Sequence, residues 1–271
     1  MVSGGGDVNL AVHEAGNPDG APIVFLHGIT MNHLAWEEQF AGDLADEFRL
    51  IALDLRGHGA SDTPTGVEHY ADSAVWAEDV AAVIDDHDLE RPVLVGWSYG
   101  GLVIADYLRA FGDEDLGGVV FVAAVTDLGT PEAMAQFSDE FLEVSAGLVS
   151  TEVATMIDAT REFVHMLTLE PLDRDAFEVV FGGSMMVPPE VRLALVSREL
   201  ENDDVLAATE LPTLVLHGAE DEITILAASE RIAEIAPEAD LIIYEGIGHA
   251  PFMEAPERFD RDLAEFVRDV R

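Results

Sequence analysis

A serine, a histidine and an aspartate, far apart in the chain but each set among small residues, carry the chemistry this sequence could do. The serine lies in Gly96-Trp97-Ser98-Tyr99-Gly100-Gly101, after the apolar run Pro92 to Val95 and before a helix-like stretch from Gly101. G-x-S-x-G between a strand and a helix is the pattern of a nucleophile elbow. A tight turn strains the serine backbone, and the flanking glycines let neighbouring backbones approach. The hydroxyl then stands over a helix N-terminus, whose dipole favours developing negative charge. At neutral pH such a hydroxyl needs a base. Among nine histidines the candidate is His249, in Gly246-Ile247-Gly248-His249-Ala250-Pro251, because this loop follows the last strand-like run and can reach the top of a sheet. The base needs a carboxylate to fix its tautomer and stabilise its cation. Asp221, in His217-Gly218-Ala219-Glu220-Asp221, is the candidate. Glu220 and Glu222 flank it, and a loop carboxylate in so acidic a chain is as readily plain surface charge. The chain order Ser, Asp, His favours Asp221.

A carbonyl attacked by Ser98 would develop negative charge on its oxygen, which calls for preorganised N–H donors. One is expected from Tyr99, the residue after the serine. The other is expected from Ile29, in Phe25-Leu26-His27-Gly28-Ile29-Thr30 after an early strand-like run. His27 reads as structural. The chemistry assembled this way is two-step acyl transfer to water, and it requires no metal and no organic cofactor.

These loops need a framework that brings them to one edge. Short runs rich in Val, Ile and Leu (Ile23 to Leu26, Leu50 to Leu55, Val93 to Val95, Gly118 to Val125, Thr213 to Leu216, Leu241 to Tyr244) alternate with helical patterns. Near-continuous apolar runs indicate strands buried on both faces of a mostly parallel sheet. Val8 to His13 alternates and reads as an edge strand. Helices are expected at Tyr70 to His87, Gly101 to Phe111, Ile225 to Ile235 and Pro256 to Val270, the last opening on a proline whose missing N–H costs nothing there. The whole predicts a doubly wound α/β sheet. From about Thr126 to Thr209 no strand pattern recurs. That stretch holds Met134, Phe137, Phe141, Met156, Phe163, Met166, Phe177, Phe181, Met185 and Met186. They suit both the core of a helical insertion and the lining of an apolar, adaptable pocket.

Composition narrows the classes. The chain has no cysteine, so thiolate chemistry and disulfides are out. No run of apolar residues is long enough to span a bilayer, and the glycine-rich opening lacks the features of a signal peptide, so a cytoplasmic location is expected. Fifty-four acidic residues face thirteen basic ones, all arginine, for a formal charge of −41. Such self-repulsion destabilises a compact chain in dilute buffer and argues against nucleic acid and anionic membranes as partners. It becomes tolerable where salt shortens screening to roughly 3 Å at 1 M. A high-salt cytoplasm is therefore the expected setting.

Five segments in order then resemble the α/β-hydrolase superfamily, and within it the capped esterase, haloperoxidase-like and C–C hydrolase group. They are Leu26-His27-Gly28, the stretch Asp54 to Asp62, the elbow Gly96 to Gly101, His217 to Asp221, and Gly248-His249-Ala250-Pro251. The resemblance implies a sheet core formed by residues 1–125 and 210–271, with a helical lid, 126–209, inserted after the sixth core strand. It implies a structural loop at Asp54 to Asp62, so His58 and Asp62 are not counted as catalytic. It names Asp127, just after the sixth core strand, as a reserve acid, because some members place the acid there; at Asp221 the chain departs from the family, reading Glu222-Ile223-Thr224-Ile225 where a proline is often found. The substrate is expected to be a small molecule with an apolar group, and the activity that of a carboxylic ester or lactone hydrolase. A perhydrolase or a C–C bond hydrolase would use the same triad, and a non-catalytic ligand-binding protein could keep the same fold.

Overall fold

The computed structural model describes residues 1–271. A two-stranded ribbon, Val2–Ser3 against Asn9–Leu10, precedes a seven-stranded sheet. In chain order the sheet contains β1 (Val12–Gly16), β2 (Pro22–Leu26) and β3 (Arg49–Leu53), followed by helix α1 (Ser73–Asp86). Next come β4 (Val93–Trp97), α2 (Gly100–Phe111) and β5 (Gly118–Val122). The helices α3 (Asp139–Leu148), α4 (Val153–His165), α5 (Arg174–Met185) and α6 (Pro189–Val196) follow without an intervening strand. The chain closes with β6 (Thr213–Gly218), α7 (Leu226–Ile235), β7 (Ala239–Tyr244) and α8 (Pro256–Asp269).

The strand order is β1-β3-β2-β4-β5-β6-β7, and only β1 runs antiparallel to its neighbour. Alternate residues of each central strand enter opposite apolar layers, as the two-residue period of a strand requires. Val24, Leu26, Leu94 and Phe121 pack with α1 and α2, whereas Ile23, Phe25, Val95 and Val122 pack with α8. Both faces are covered, which is why these strands read as unbroken apolar runs.

The topology positions the site. From β2 the chain goes to one side to form β3, then crosses to form β4 on the other side of β2. The loops leaving β2 and β4 therefore part at a switch point, where open α/β sheets bind ligands. Leu26 pairs with Gly96 in register, so Ile29 and Ser98 follow the same rung of the ladder by three and two residues. The loops after β6 and β7 emerge at the same end.

Three expectations are adjusted. Val8 to His13 is not one edge strand: at Ala11 the chain passes from the ribbon to β1. The helical stretch leaves the sheet after β5, which is its fifth strand because the ribbon has separated from it. The helix expected at Tyr70 to His87 is also broken at Asp72, whose side chain accepts the N–H of Ala74 and caps α1. No single helix is long and apolar enough to cross a membrane.

Candidate active site

Ser98 occupies the turn between β4 and α2 with φ +53, a left-handed conformation that strains a non-glycine residue by about 1–3 kcal/mol. The strain is held from both sides. Ser98 N–H donates to Val122 O at 3.0 Å, and Ser98 O accepts from Gly101 and Val125. Two of the glycines are required by space: a Cβ on Gly96 would lie 2.6 Å from Gly100 O, and one on Gly100 would lie 2.4 Å from Leu26 O.

The histidine loop is fastened beside it. Trp97 Nε1 donates to His249 O at 2.9 Å, and the two rings lie 5.5 Å apart. Glu220 accepts the N–H groups of Gly246 and Ile247, and Glu254 accepts that of Gly248. His249 Nδ1 lies 2.7 Å from Asp221 Oδ2, and both side chains are 1% exposed. An ionised carboxylate only accepts, so this bond puts the proton on Nδ1 and leaves Nε2 with a lone pair. Asp221 Oδ1 accepts from the N–H groups of Ile223 and Thr224 at 2.7 and 3.0 Å. A further histidine, His217, lies 3.5 Å from Asp221; burial lowers its pKa, and it bonds to Ser229 Oγ and Thr224 O.

Of the three neighbouring acids, Asp221 alone reaches His249. Glu220 clamps the loop, and Glu222 is exposed. Asp127 faces elsewhere: it accepts the N–H of Asn202 and pairs with Arg231.

The loop carrying Ile29 is shaped by two buried histidines. His27 Nδ1 donates to Gly28 O and Nε2 accepts the N–H of Leu55, while His58 Nε2 accepts the N–H of Thr30 and Nδ1 donates to Arg56 O. Thr30 takes φ +60 under these restraints. The N–H groups of Ile29 and Tyr99 donate to no protein acceptor. Asp62 accepts from Asn9, a purely structural contact. One cluster has donor atoms close enough for a metal, His13, His33 and Asp54, within 4.8 Å of one another. Asp54 already accepts the backbone N–H groups of His33 and Ala60, which makes it an anchor for the loop and turn.

Burial pushes the pKa of His27 down to about 4 and that of His58 down to about 3. Both stay neutral in the fold, whereas unfolded histidines take up protons near pH 6.5. Below that pH the unfolded state binds more protons, so stability present above about pH 6.5 is lost as the pH falls toward about 4 and then about 3. Asp260 opposes this, since burial pushes its carboxyl up to about 6 and its protonation relieves that cost. The large downward shifts of His27 and His58 set the sign, so the unfolding midpoint is expected to be lower at about pH 5 than at about pH 7 in the same salt. An equal or higher midpoint would mean that the carboxyls raised by burial, Asp260 with Asp79, Asp106 and Glu254, outweigh the histidines.

A cavity of about 260 Å³ opens on Ser98, Tyr99 and Ile29. Met134, Phe137, Phe141 and Phe163 line it; Met156 is buried, Phe177 and Phe181 pack into the insertion, and Met186 is exposed. Both readings of these residues hold, divided residue by residue. Sequence reasoning passed over Trp97 and Arg192. The first was signalled only by its place in the elbow, and the second by nothing local.

A mostly parallel sheet with an elbow serine at its switch point and a buried His–Asp pair on its last loops defines a class, and the comparisons agree with it. Residues 21–256 match the family described as alpha/beta hydrolase fold. The chain is 30% identical over 271 residues to a non-heme chloroperoxidase of Streptomyces lividans, covering 96% of each. It is 26% identical over 273 residues to a bifunctional esterase/perhydrolase of Acinetobacter calcoaceticus, covering 93% of each. The solved esterase RhEst1 from Rhodococcus sp. ECU1013 superposes with a TM-score of 0.94 at 37% identity, over 100% of this chain and 98% of that one. The chain belongs to the α/β-hydrolase fold family and is an enzyme of the hydrolase class.

Proposed function

We propose that this chain is a serine hydrolase acting on carboxylic esters or lactones through an acyl-enzyme. The observation that carries the reading is the buried 2.7 Å contact between Asp221 and His249 Nδ1, on a loop that Trp97 holds beside the strained Ser98. Ser98 Oγ attacks the carbonyl carbon while His249 Nε2 takes its proton. Asp221 holds the imidazole in the required tautomer and stabilises its cation. The free N–H groups of Ile29 and Tyr99 receive the oxyanion, His249 returns the proton to the departing alcohol, and water repeats the cycle on the acyl-enzyme. Residues 126–209 act as a lid over the core of 1–125 and 210–271, supplying the apolar wall of the pocket.

Hydrolysis of p-nitrophenyl esters from acetate to decanoate, in molar salt, tests this. The wild type is expected to turn over a short or medium chain best, because the cavity is small and apolar. Turnover of none of them would sink the esterase reading. The similarity to a bifunctional esterase/perhydrolase favours a second reading, perhydrolysis at the same serine, in which peroxide replaces water in attacking the acyl-enzyme. Bromide oxidation that needs both peroxide and acetate would reveal it.

The charge of −41 supports a high-salt cytoplasm as the working environment. The unfolding midpoint is expected to rise as sodium chloride is raised from tens of millimolar to molar, where screening shortens to roughly 3 Å. A midpoint that is flat or falling over that range would refute it.

A further inference from the structure

Three arginines are buried, and two of them face carboxylates: Arg56 pairs with Asp79 and Arg198 with Asp106, each at 2.7 Å. The third, Arg192, is 1% exposed and has no carboxylate within 4.0 Å, in a chain with fifty-four acidic residues. Its Nε donates to Val187 O, its Nη1 to Leu148 O and Thr160 Oγ1, and its Nη2 to Ser184 O. That uses four of the five N–H groups of a guanidinium. Leu148 and Ser184 lie in the last turns of α3 and α5, where the helix dipole offers about half a negative charge at each end. Those carbonyls make the cation tolerable without neutralising it. Burial lowers its pKa only to about 10, so it stays charged at neutral pH. Buried charges are ordinarily paired.

Arg192 also lines the cavity that opens on Ser98. Thirteen of the seventeen lining residues are hydrophobic; the other four are Thr30, Ser98, Ser145 and Arg192, which is the only charged one. It lies close to the oxyanion loop as well, because its acceptor Ser184 donates through Oγ to Thr30 Oγ1 at 2.9 Å, one residue from Ile29.

We infer that Arg192 forms an anion subsite within the pocket, and that the preferred substrate is an ester bearing a second, ionised carboxylate, such as a half-ester of a short dicarboxylic acid. The inference rests on the hydrolase reading above and adds the substrate's far end to it. The apolar wall takes the methylene chain, and the guanidinium takes the terminal carboxylate with its remaining N–H.

The test compares kcat/KM for mono-p-nitrophenyl glutarate and the neutral p-nitrophenyl pentanoate, in molar salt, for the wild type and Arg192→Met. The wild type is expected to favour the glutarate half-ester by about tenfold or more, the effect of one charge-assisted hydrogen bond in a buried site. Arg192→Met is expected to reverse that preference, read as the ratio of the two kcat/KM values. A wild type that handles the neutral ester as well or better overturns the subsite and leaves the hydrolase reading standing. Because Arg192 also ties lid helices together, its variant could fail to fold. Calorimetric binding of glutarate against its neutral diamide, glutaramide, to the wild type therefore gives a second readout. Tighter binding of glutarate supports the subsite even if neither ester is hydrolysed, whereas equal or weaker binding overturns it.

Discussion

Replacing Ser98 with alanine is expected to lower kcat/KM for a p-nitrophenyl ester by about ten-thousandfold or more, with little change in thermal stability. The substitution keeps a Cβ at φ +53, so the backbone strain is the same in both proteins. It leaves the contact between Asp221 and His249 and the N–H groups of Ile29 and Tyr99 in place. What disappears is the atom that forms the acyl-enzyme, and any rate left over would come from oxyanion stabilisation and binding. Steady-state hydrolysis read beside a thermal melt separates loss of chemistry from loss of fold. A variant that retains more than a few per cent of the activity would mean that another group is the nucleophile.

Asp221→Asn is expected to lower kcat by about a thousand- to ten-thousandfold while changing KM little. The direction follows from the partners of the carboxylate. Oδ1 is held by the N–H groups of Ile223 and Thr224, so an asparagine must leave its oxygen there and turn its NH₂ toward His249. A donor facing Nδ1 drives the ring proton to Nε2, the nitrogen that has to accept the proton of Ser98. The fold should survive, since the shape and both backbone bonds are kept. Asp127→Asn is the companion measurement. Asp127 faces Asn202 and Arg231, so its variant is expected to keep kcat even if stability falls. Loss of turnover in Asp127→Asn but not in Asp221→Asn would transfer the orienting role to the reserve acid.

Much of this framework was legible before any coordinates. β4 and β5 are buried on both faces along their length, so Val93 to Val95 and Gly118 to Val125 stood out as apolar runs without alternation. The elbow was legible because its glycines answer to local sterics, a close backbone approach that any other residue would block. The edge was harder to read. In Val8 to His13 the alternation continues across Ala11 although the hydrogen-bonding partner changes, and a periodic pattern carries no record of its partner.

The sequence by itself determined the α/β architecture, the elbow serine and the histidine loop, because local periodicity and backbone sterics act between near neighbours. Only the tertiary structure decided which of Glu220, Asp221 and Glu222 turns inward, since local sequence carries no record of the direction in which each of three adjacent loop acids points. It likewise divided the methionines and phenylalanines of the helical stretch between pocket and packing, because helical spacing sets which face a residue shares and not what that face meets. The bare charge of Arg192 belongs to the same group. Whether an arginine finds a carboxylate depends on residues dozens of positions away, and in the folded chain this one finds backbone carbonyls and a threonine hydroxyl instead.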